Sequence, residues 1–207
     1  MSGRLVRAGA LACLGVALAA CKPPEPEVRP LPAGTAPAQS ASPAPGKQPP
    51  KADAAAQLAS VGDLRIGAAF GHGPGDEAFE AAGMREAMDG DCEYYARGTL
   101  PEGMSMMVLG DRIARFDVHG EGDPGARSDA PPVPFGLWVG MSVAEARQRL
   151  PADVVASPHA YVWPDGEYLT WTDERAGLAL RVETDKDVVT SIYWGQPEAV
   201  EFIEGCS

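Results

Sequence analysis

The chain has 207 residues, 45% of them hydrophobic, and a formal charge of −12 at neutral pH. That length suits one domain, or two small halves sharing a core. The acidity disfavours phosphate backbones and anionic head groups as partners, so nucleic-acid binding through a basic patch is not expected.

Arg4 and Arg7 precede or flank an apolar run from Leu5 to Ala20, with Gly15 in its middle. The run is too short to span a bilayer and remain there, and reads as a signal peptide over residues 1–20. Leu18-Ala19-Ala20-Cys21 resembles the lipobox cut by the lipoprotein signal peptidase. The resemblance implies that Cys21 becomes the acylated first residue, with the two or more chains that stable anchoring needs. An ordinary signal peptide with a chance cysteine is the alternative. Lys22 stands where an aspartate would resemble the inner-membrane retention signal, so the resemblance points to the outer membrane, with the domain facing the periplasm.

Residues 21–56 follow as a stalk: Lys22 to Lys51 holds half of the 20 prolines and almost no large apolar residues. Such a segment cannot form a core and favours extended polyproline-II stretches, a semi-stiff spacer. A proline-recognising partner is the other role open to it. The folded region is expected over residues 57–207.

In its first half Asp76 is placed to cap a helix running to about Met88, with Phe79, Gly83 and Ala87 along one side. Glu93 to Arg97 reads as a strand. Met104, Met106 and Val108 alternate as a half-buried strand should, and Gly110-Asp111 is turn chemistry leading into a second strand, Ile113 to Val118. His119 to Pro134 is rich in Gly, Asp and Pro and reads as an exposed loop. His119, Glu121, Asp123 and Asp129 in that loop lack a fixed ligand spacing, so no metal is expected there.

Gly136-Leu137-Trp138-Val139-Gly140 lines up with Asp63-Leu64-Arg65-Ile66-Gly67 and opens a second half. Ser142-Val143-Ala144-Glu145 is a capping box, after which Val143, Ala146 and Leu150 form a helical stripe that Pro151 ends. Ala160 to Trp163 and Tyr168 to Thr172 read as strands joined through a turn at Trp163 to Glu167. Gly177 to Val182 lines up with Gly103 to Val108, putting Leu178 opposite Met104, and Asp185 to Asp187 turns into a last strand, Val188 to Trp194. The expected fold is α+β: a tandem repeat, about 63–118 and 136–194, of a helix plus three or four antiparallel strands, with helices on one face of the sheet. Cys13 leaves with the signal segment and Cys21 takes lipid, so Cys92 and Cys206 are left to pair in an oxidising compartment. Two free thiols are the alternative, and no Cys-x-x-Cys motif suggests a redox pair.

The run from Gly136 to Ala146 resembles the opening of repeats in small outer-membrane lipoproteins of the SmpA/OmlA type and in the β-lactamase-inhibitor-protein fold. Cys92 to Arg115 and the Glu204-Gly205-Cys206 end are similar to uncharacterised Gram-negative lipoproteins. The resemblance implies a short helix leading into an antiparallel sheet, and no assigned activity.

The Walker loop, dinucleotide fingerprint, Gly-x-Ser-x-Gly elbow and His-Glu-x-x-His helix are absent from the sequence, and His72, His119 and His159 are scattered on loop-like stretches. No enzyme, catalytic residue, cofactor or metal is expected. Tyr161, Trp163, Tyr168, Trp171, Tyr193 and Trp194 crowd the second half. Period-2 alternation sends rings to both sheet faces, so Tyr161, Trp163, Tyr168, Trp171 and Tyr193 are candidate protein-binding residues, with core packing as the competing role. The expectation is an anchored, non-enzymatic binding or envelope-assembly module. A hydrolase inhibitor using an aromatic sheet face and an envelope enzyme with an unrecognised site are the alternatives.

Overall fold

Short apolar alternations separated by tight turns build one antiparallel sheet. The computed structural model describes residues 51–88, 90–120 and 131–206. The expected signal peptide, Cys21 and nearly all of the stalk lie outside the described residues, as do Glu121, Asp123 and Asp129. In chain order the elements are α1 (Lys51–Leu58), β1 (Ser60–Val61), β2 (Leu64–Arg65), α2 (Glu77–Ala81), β3 (Cys92–Ala96), β4 (Met104–Leu109) and β5 (Arg112–His119). A 3-10 turn (Pro134–Gly136) leads to α3 (Val143–Arg149), β6 (Val155–Pro158), β7 (Glu167–Asp173), β8 (Leu178–Asp185), β9 (Val188–Gly195) and α4 (Pro197–Val200). Strands β3 to β9 form a seven-stranded sheet in the order β3-β4-β5-β9-β8-β7-β6, and β1 pairs with β2 apart from it. No helix among the described residues is long and apolar enough to cross a membrane.

One face of the sheet holds the main core. Met104 and Met106 of β4, Phe116 of β5, Trp171 of β7, Leu180 of β8 and Trp194 of β9 point into it, each at most 2% exposed. Ala54 and Leu58 of α1, Phe70, Phe79 of α2, Phe135 of the 3-10 turn, and Ala146 and Leu150 around α3 close over them. Fully burying one leucine, methionine or phenylalanine side chain among them is worth about 1.5–3 kcal/mol. The other face is covered differently, by α4 and the tail that follows it. Ala199 packs with Met107 and Ala114, and Val200 with Ala179 and Tyr193. Helices therefore lie on both faces, a correction to the one-face expectation. Its cause is local: Pro197 starts a helical turn directly after β9, and the chain folds back under the strand it has just left.

The same bonds recur around the two central hairpins. Gly67 N–H donates to Ile113 O at 2.7 Å, and Gly140 N–H to Val189 O at 2.8 Å. Phe70 N–H reaches Asp111 O, and Val143 N–H reaches Asp187 O, both at 2.9 Å. Ala69 bridges Arg112 as Ser142 bridges Val188. Each hairpin has one register shift, between Met107 and Val108 in one and between Glu183 and Thr184 in the other. β5 and β9 then pair antiparallel, from Arg115 opposite Gly195 to His119 opposite Ser191. By strand register Met104, opposite Val118, corresponds to Leu180, opposite Trp194, and not to Leu178.

Three further boundaries differ from expectation. α1 begins inside the stretch assigned to the stalk, because Ala54 and Leu58 have a core to enter. α2 is capped by Asp76, whose Oδ1 accepts from Phe79 N–H at 2.9 Å, but it stops at Ala81 instead of Met88. Gly83 adopts φ +68, the left-handed conformation that ends helices, so Ala87 never joins the helical face. The edge strand of the second half is Val155–Pro158, and the expected strand from Ala160 to Trp163 is part of the connection to β7. Pro158 ends the strand. α3 starts at its expected cap, Ser142 Oγ accepting from Glu145 N–H at 3.2 Å, while the Glu145 carboxylate bonds forward to Arg149 at 2.8 Å.

Candidate functional site

The sheet face beneath α4 is polar, because β5 and β8 each place charged residues two apart among apolar ones: Arg115 and Asp117, Arg181 and Glu183. Residues two apart share a face. Arg115 and Asp117 are 1% and 0% exposed. Arg115 Nε donates to Asp117 Oδ1 at 2.6 Å and Nη2 to Oδ2 at 3.0 Å, a bidentate pair. Nη1 reaches the carbonyls of Ala199 at 2.5 Å and Phe202 at 2.9 Å, and Nη2 bonds the Tyr94 hydroxyl. The guanidinium stands 4.5 Å from the centre of the Tyr193 ring. Burial works against its charge, and the Asp117 carboxylate more than offsets this, raising the Arg115 pKa. Burial first and then Asp117 push the Tyr94 phenol up, while burial first and then Glu183 raise that of Tyr193.

A second group adjoins it on β7 and β8. The Arg181 guanidinium lies 4.7 Å from the Tyr168 ring centre, donates from Nε to Thr170 Oγ1 at 3.1 Å and pairs with Glu201. His159 stacks on Tyr168, the two ring centres 4.5 Å apart. Its Nδ1 accepts from Tyr161 N–H at 3.1 Å, which places the proton on Nε2, 3.9 Å from Glu183 Oε2. The Tyr161 hydroxyl bonds Glu204 of the tail, and this bond raises the Tyr161 pKa.

The tail from Gln196 to Cys206 is thus a strap across the polar face. It is held by Arg115 at Ala199 and Phe202, by Tyr161 at Glu204, and at its end by the disulfide. Cys92 and Cys206 are bonded, with Cα atoms 5.3 Å apart.

Of the five candidate binding aromatics, three are not available to a partner. Tyr168 and Tyr193 are buried under the loop and strap, at 5% and 3% exposure, and Trp171 lies in the core on the opposite face, its Nε1 donating to Asp153 at 3.0 Å. Charged side chains over Tyr168 and Tyr193, and Phe135 against Trp171, fill the space an open aromatic face would need. Tyr161 and Trp163 are exposed, at 61% and 63%, on the loop joining β6 to β7. The strap adds one more exposed ring, Phe202. Arg115, Asp117, Arg181 and Glu183 escaped the sequence reading, although Arg-x-Asp and Arg-x-Glu inside apolar strands were the available signal.

His72 stands between two partners: Nε2 lies 2.7 Å from Asp111 Oδ1 and Nδ1 3.2 Å from the Tyr95 hydroxyl. A carboxylate–imidazole–hydroxyl chain of this kind can activate a nucleophile. Here burial raises the Tyr95 pKa, holding the phenol protonated, and the ring packs edge-on against Phe70 at 5.2 Å. The chain ties the loop before α2 to the β4–β5 turn. Among the described residues no group of three or more His, Cys, Asp or Glu side chains could hold a metal ion. The depression between strap and sheet, about 260 Å³ and lined by Tyr94, Ser105, His119, Tyr193 and Glu204, is shallow. Comparison with protein-family models, with curated proteins and with solved structures finds no match to this chain.

Proposed function

We propose that this chain is a lipid-anchored protein of the bacterial outer membrane, facing the periplasm, whose folded part binds a protein partner and does no chemistry of its own. Arg4, Arg7, the short apolar run and Leu18-Ala19-Ala20-Cys21 support the anchor. The proline-rich segment after Cys21 sets the domain off from the membrane. The folded part is read as two copies of one α+β unit, supported by the bonds shared between Gly67 and Gly140, Phe70 and Val143, and the two register shifts. That arrangement is what the resemblance to SmpA/OmlA-type and inhibitor repeats implies.

The observation that carries the binding reading is the loop with Tyr161 and Trp163. Both rings stand in solvent in a fold that buries Tyr168, Trp171, Tyr193 and Trp194. Large exposed rings are the residue types that dominate protein-binding hot spots. Their loop is braced from below by His159 on Tyr168 and by Tyr161 on Glu204, so little conformational freedom is left to lose on binding.

A photoreactive residue at exposed position 165 in growing cells should trap a discrete envelope protein. Alanine at Tyr161 and Trp163 together should abolish the adduct while leaving the protein level unchanged. A hydrolase in the adduct would make the module an inhibitor. No adduct from a normally abundant protein overturns the binding reading. Mass spectrometry should find Cys21 as an acylated first residue, and an unmodified terminus elsewhere overturns the anchor.

A further inference from the structure

We infer that the partner seated on Tyr161 and Trp163 presents a basic segment, whose arginine or lysine side chains lie on those rings inside an acidic rim. This rests on the binding role proposed for the loop and names the chemistry of what it binds. Among the described residues four large apolar side chains are exposed, and Tyr161, Trp163 and Phe202 are three of them. They stand on the β6–β7 connection and on the strap, two segments joined where the Tyr161 hydroxyl bonds Glu204.

The charge around these rings has one sign. Residues 159–167 and 195–206 contain no lysine or arginine, and carry Asp165, Glu167, Glu198, Glu201 and Glu204. Arg147 pairs with Glu167 at 2.6 Å and cancels it. Beneath the strap, Arg115 is matched by Asp117 and Arg181 by Glu183, all four buried, so the bond from Arg181 to Glu201 leaves that region with a negative surplus. Asp165, Glu198 and Glu201 make up the surplus without counting Glu204. The flanking turns do not reverse it: Arg175 follows Asp173 and Glu174, Lys186 lies between Asp185 and Asp187, and Asp91 and Glu93 flank the disulfide at Cys92.

Rings and carboxylates together select a cation. An aromatic face attracts a guanidinium or ammonium, and a surrounding negative potential adds to that attraction while repelling an acidic partner. The fold uses the same combination twice in its interior. Arg115 lies against Tyr193 and pairs with Asp117, and Arg181 lies against Tyr168 and pairs with Glu201. At the surface Tyr161 and Trp163 repeat the ring and the carboxylate rim, and among the described residues no guanidinium stands over either. Arginine suits such a place better than lysine, because its planar head stacks on a ring and bonds a carboxylate at once.

The test uses the full mature chain and a synthetic peptide alternating arginine and glycine. Trp138, Trp171 and Trp194 are buried, so acrylamide quenching of the native chain reads Trp163 above all. The arginine peptide should shield Trp163 in a saturable way, and a glutamate–glycine peptide should not. Glu198→Lys, an exposed position on the strap, should weaken the shielding about threefold or more with unchanged circular dichroism. Glu77→Lys makes the same charge change on α2, across the sheet, and should leave the shielding as in wild type. Equal effects of the two substitutions, or shielding by both peptides, overturn the inference. So does a Trp163 already shielded before any peptide is added, which would place another part of this chain or a second copy on the rings. If crosslinking from position 165 traps an envelope protein while the arginine peptide leaves Trp163 open, the loop binds but its partner is not basic. If crosslinking traps nothing, the binding reading itself falls.

Discussion

Arg115 is a charge removed from water, and everything it touches is arranged to compensate for that. Arg115→Met would strand the Asp117 carboxylate at 0% exposure and remove the bonds from the guanidinium to the carbonyls of Ala199 and Phe202. Breaking one member of a buried pair costs about 3–5 kcal/mol. Arg115→Met and Asp117→Leu should each approach that loss in urea denaturation, and the double variant should recover much of it because no lone buried charge is left. A double variant whose loss equals the sum of the single losses would mean that the pair is not coupled. This network was legible only as a pattern. Arg-x-Asp and Arg-x-Glu are visible within β5 and β8, but alternation assigns them to a face without saying that the chain returns to cover that face.

The strap that returns is short, and its helical part, Pro197–Val200, is a single turn that could not persist alone. It is attached by Arg115, Tyr161, the Arg181–Glu201 pair and the Cys92–Cys206 bond, which closes a loop with a sequence separation of 114 residues. Chain-entropy reasoning gives such a loop at most about 4–5 kcal/mol. Replacing both cysteines by alanine should lower stability toward that extent and speed amide exchange in Ala199 and Val200, while the core strands β4 and β8 exchange as before. Unchanged exchange in the strap would show that Arg115, Tyr161 and Arg181 suffice. The pairing could be read from cysteine arithmetic once the chain is taken as exported, and α3 from its Ser142 cap. The extent of α2 could not be read this way, since Phe79, Gly83 and Ala87 have helical spacing and only the backbone at Gly83 decides where the helix ends. The aromatics were misplaced for a related reason. Period 2 sends rings to both faces of the sheet, but the burial of Tyr168 and Tyr193 depends on how the loop before β7 and the strap after β9 fold back over them.

Joining β5 to β9 makes residues from the two ends of the sheet answer to one equilibrium. Tyr94 on β3 and Tyr193 on β9 sit on opposite sides of Arg115, and burial raises both phenols above the ordinary value of 10.0. A group whose folded pKa is raised contributes stability that is fully present below its unfolded pKa and is lost as pH rises beyond it. The folded form should therefore weaken above pH 10.0, as the unfolded chain releases protons that the folded one keeps. Below the unfolding point Tyr94 and Tyr193 stay protonated, since neither phenolate could form beside Asp117 and Glu183 without the strap leaving. In an alkaline titration, the last tyrosine absorbance change should coincide with loss of the far-ultraviolet sheet signal in a single step. The Tyr193→Phe variant should resist alkali better than wild type once its own cost at neutral pH is subtracted, because one of the two proton-releasing groups is gone. Two separated transitions, or ionisation of both phenols with the sheet signal intact, would mean that the halves open independently and that the β5–β9 pairing does not make them one cooperative body.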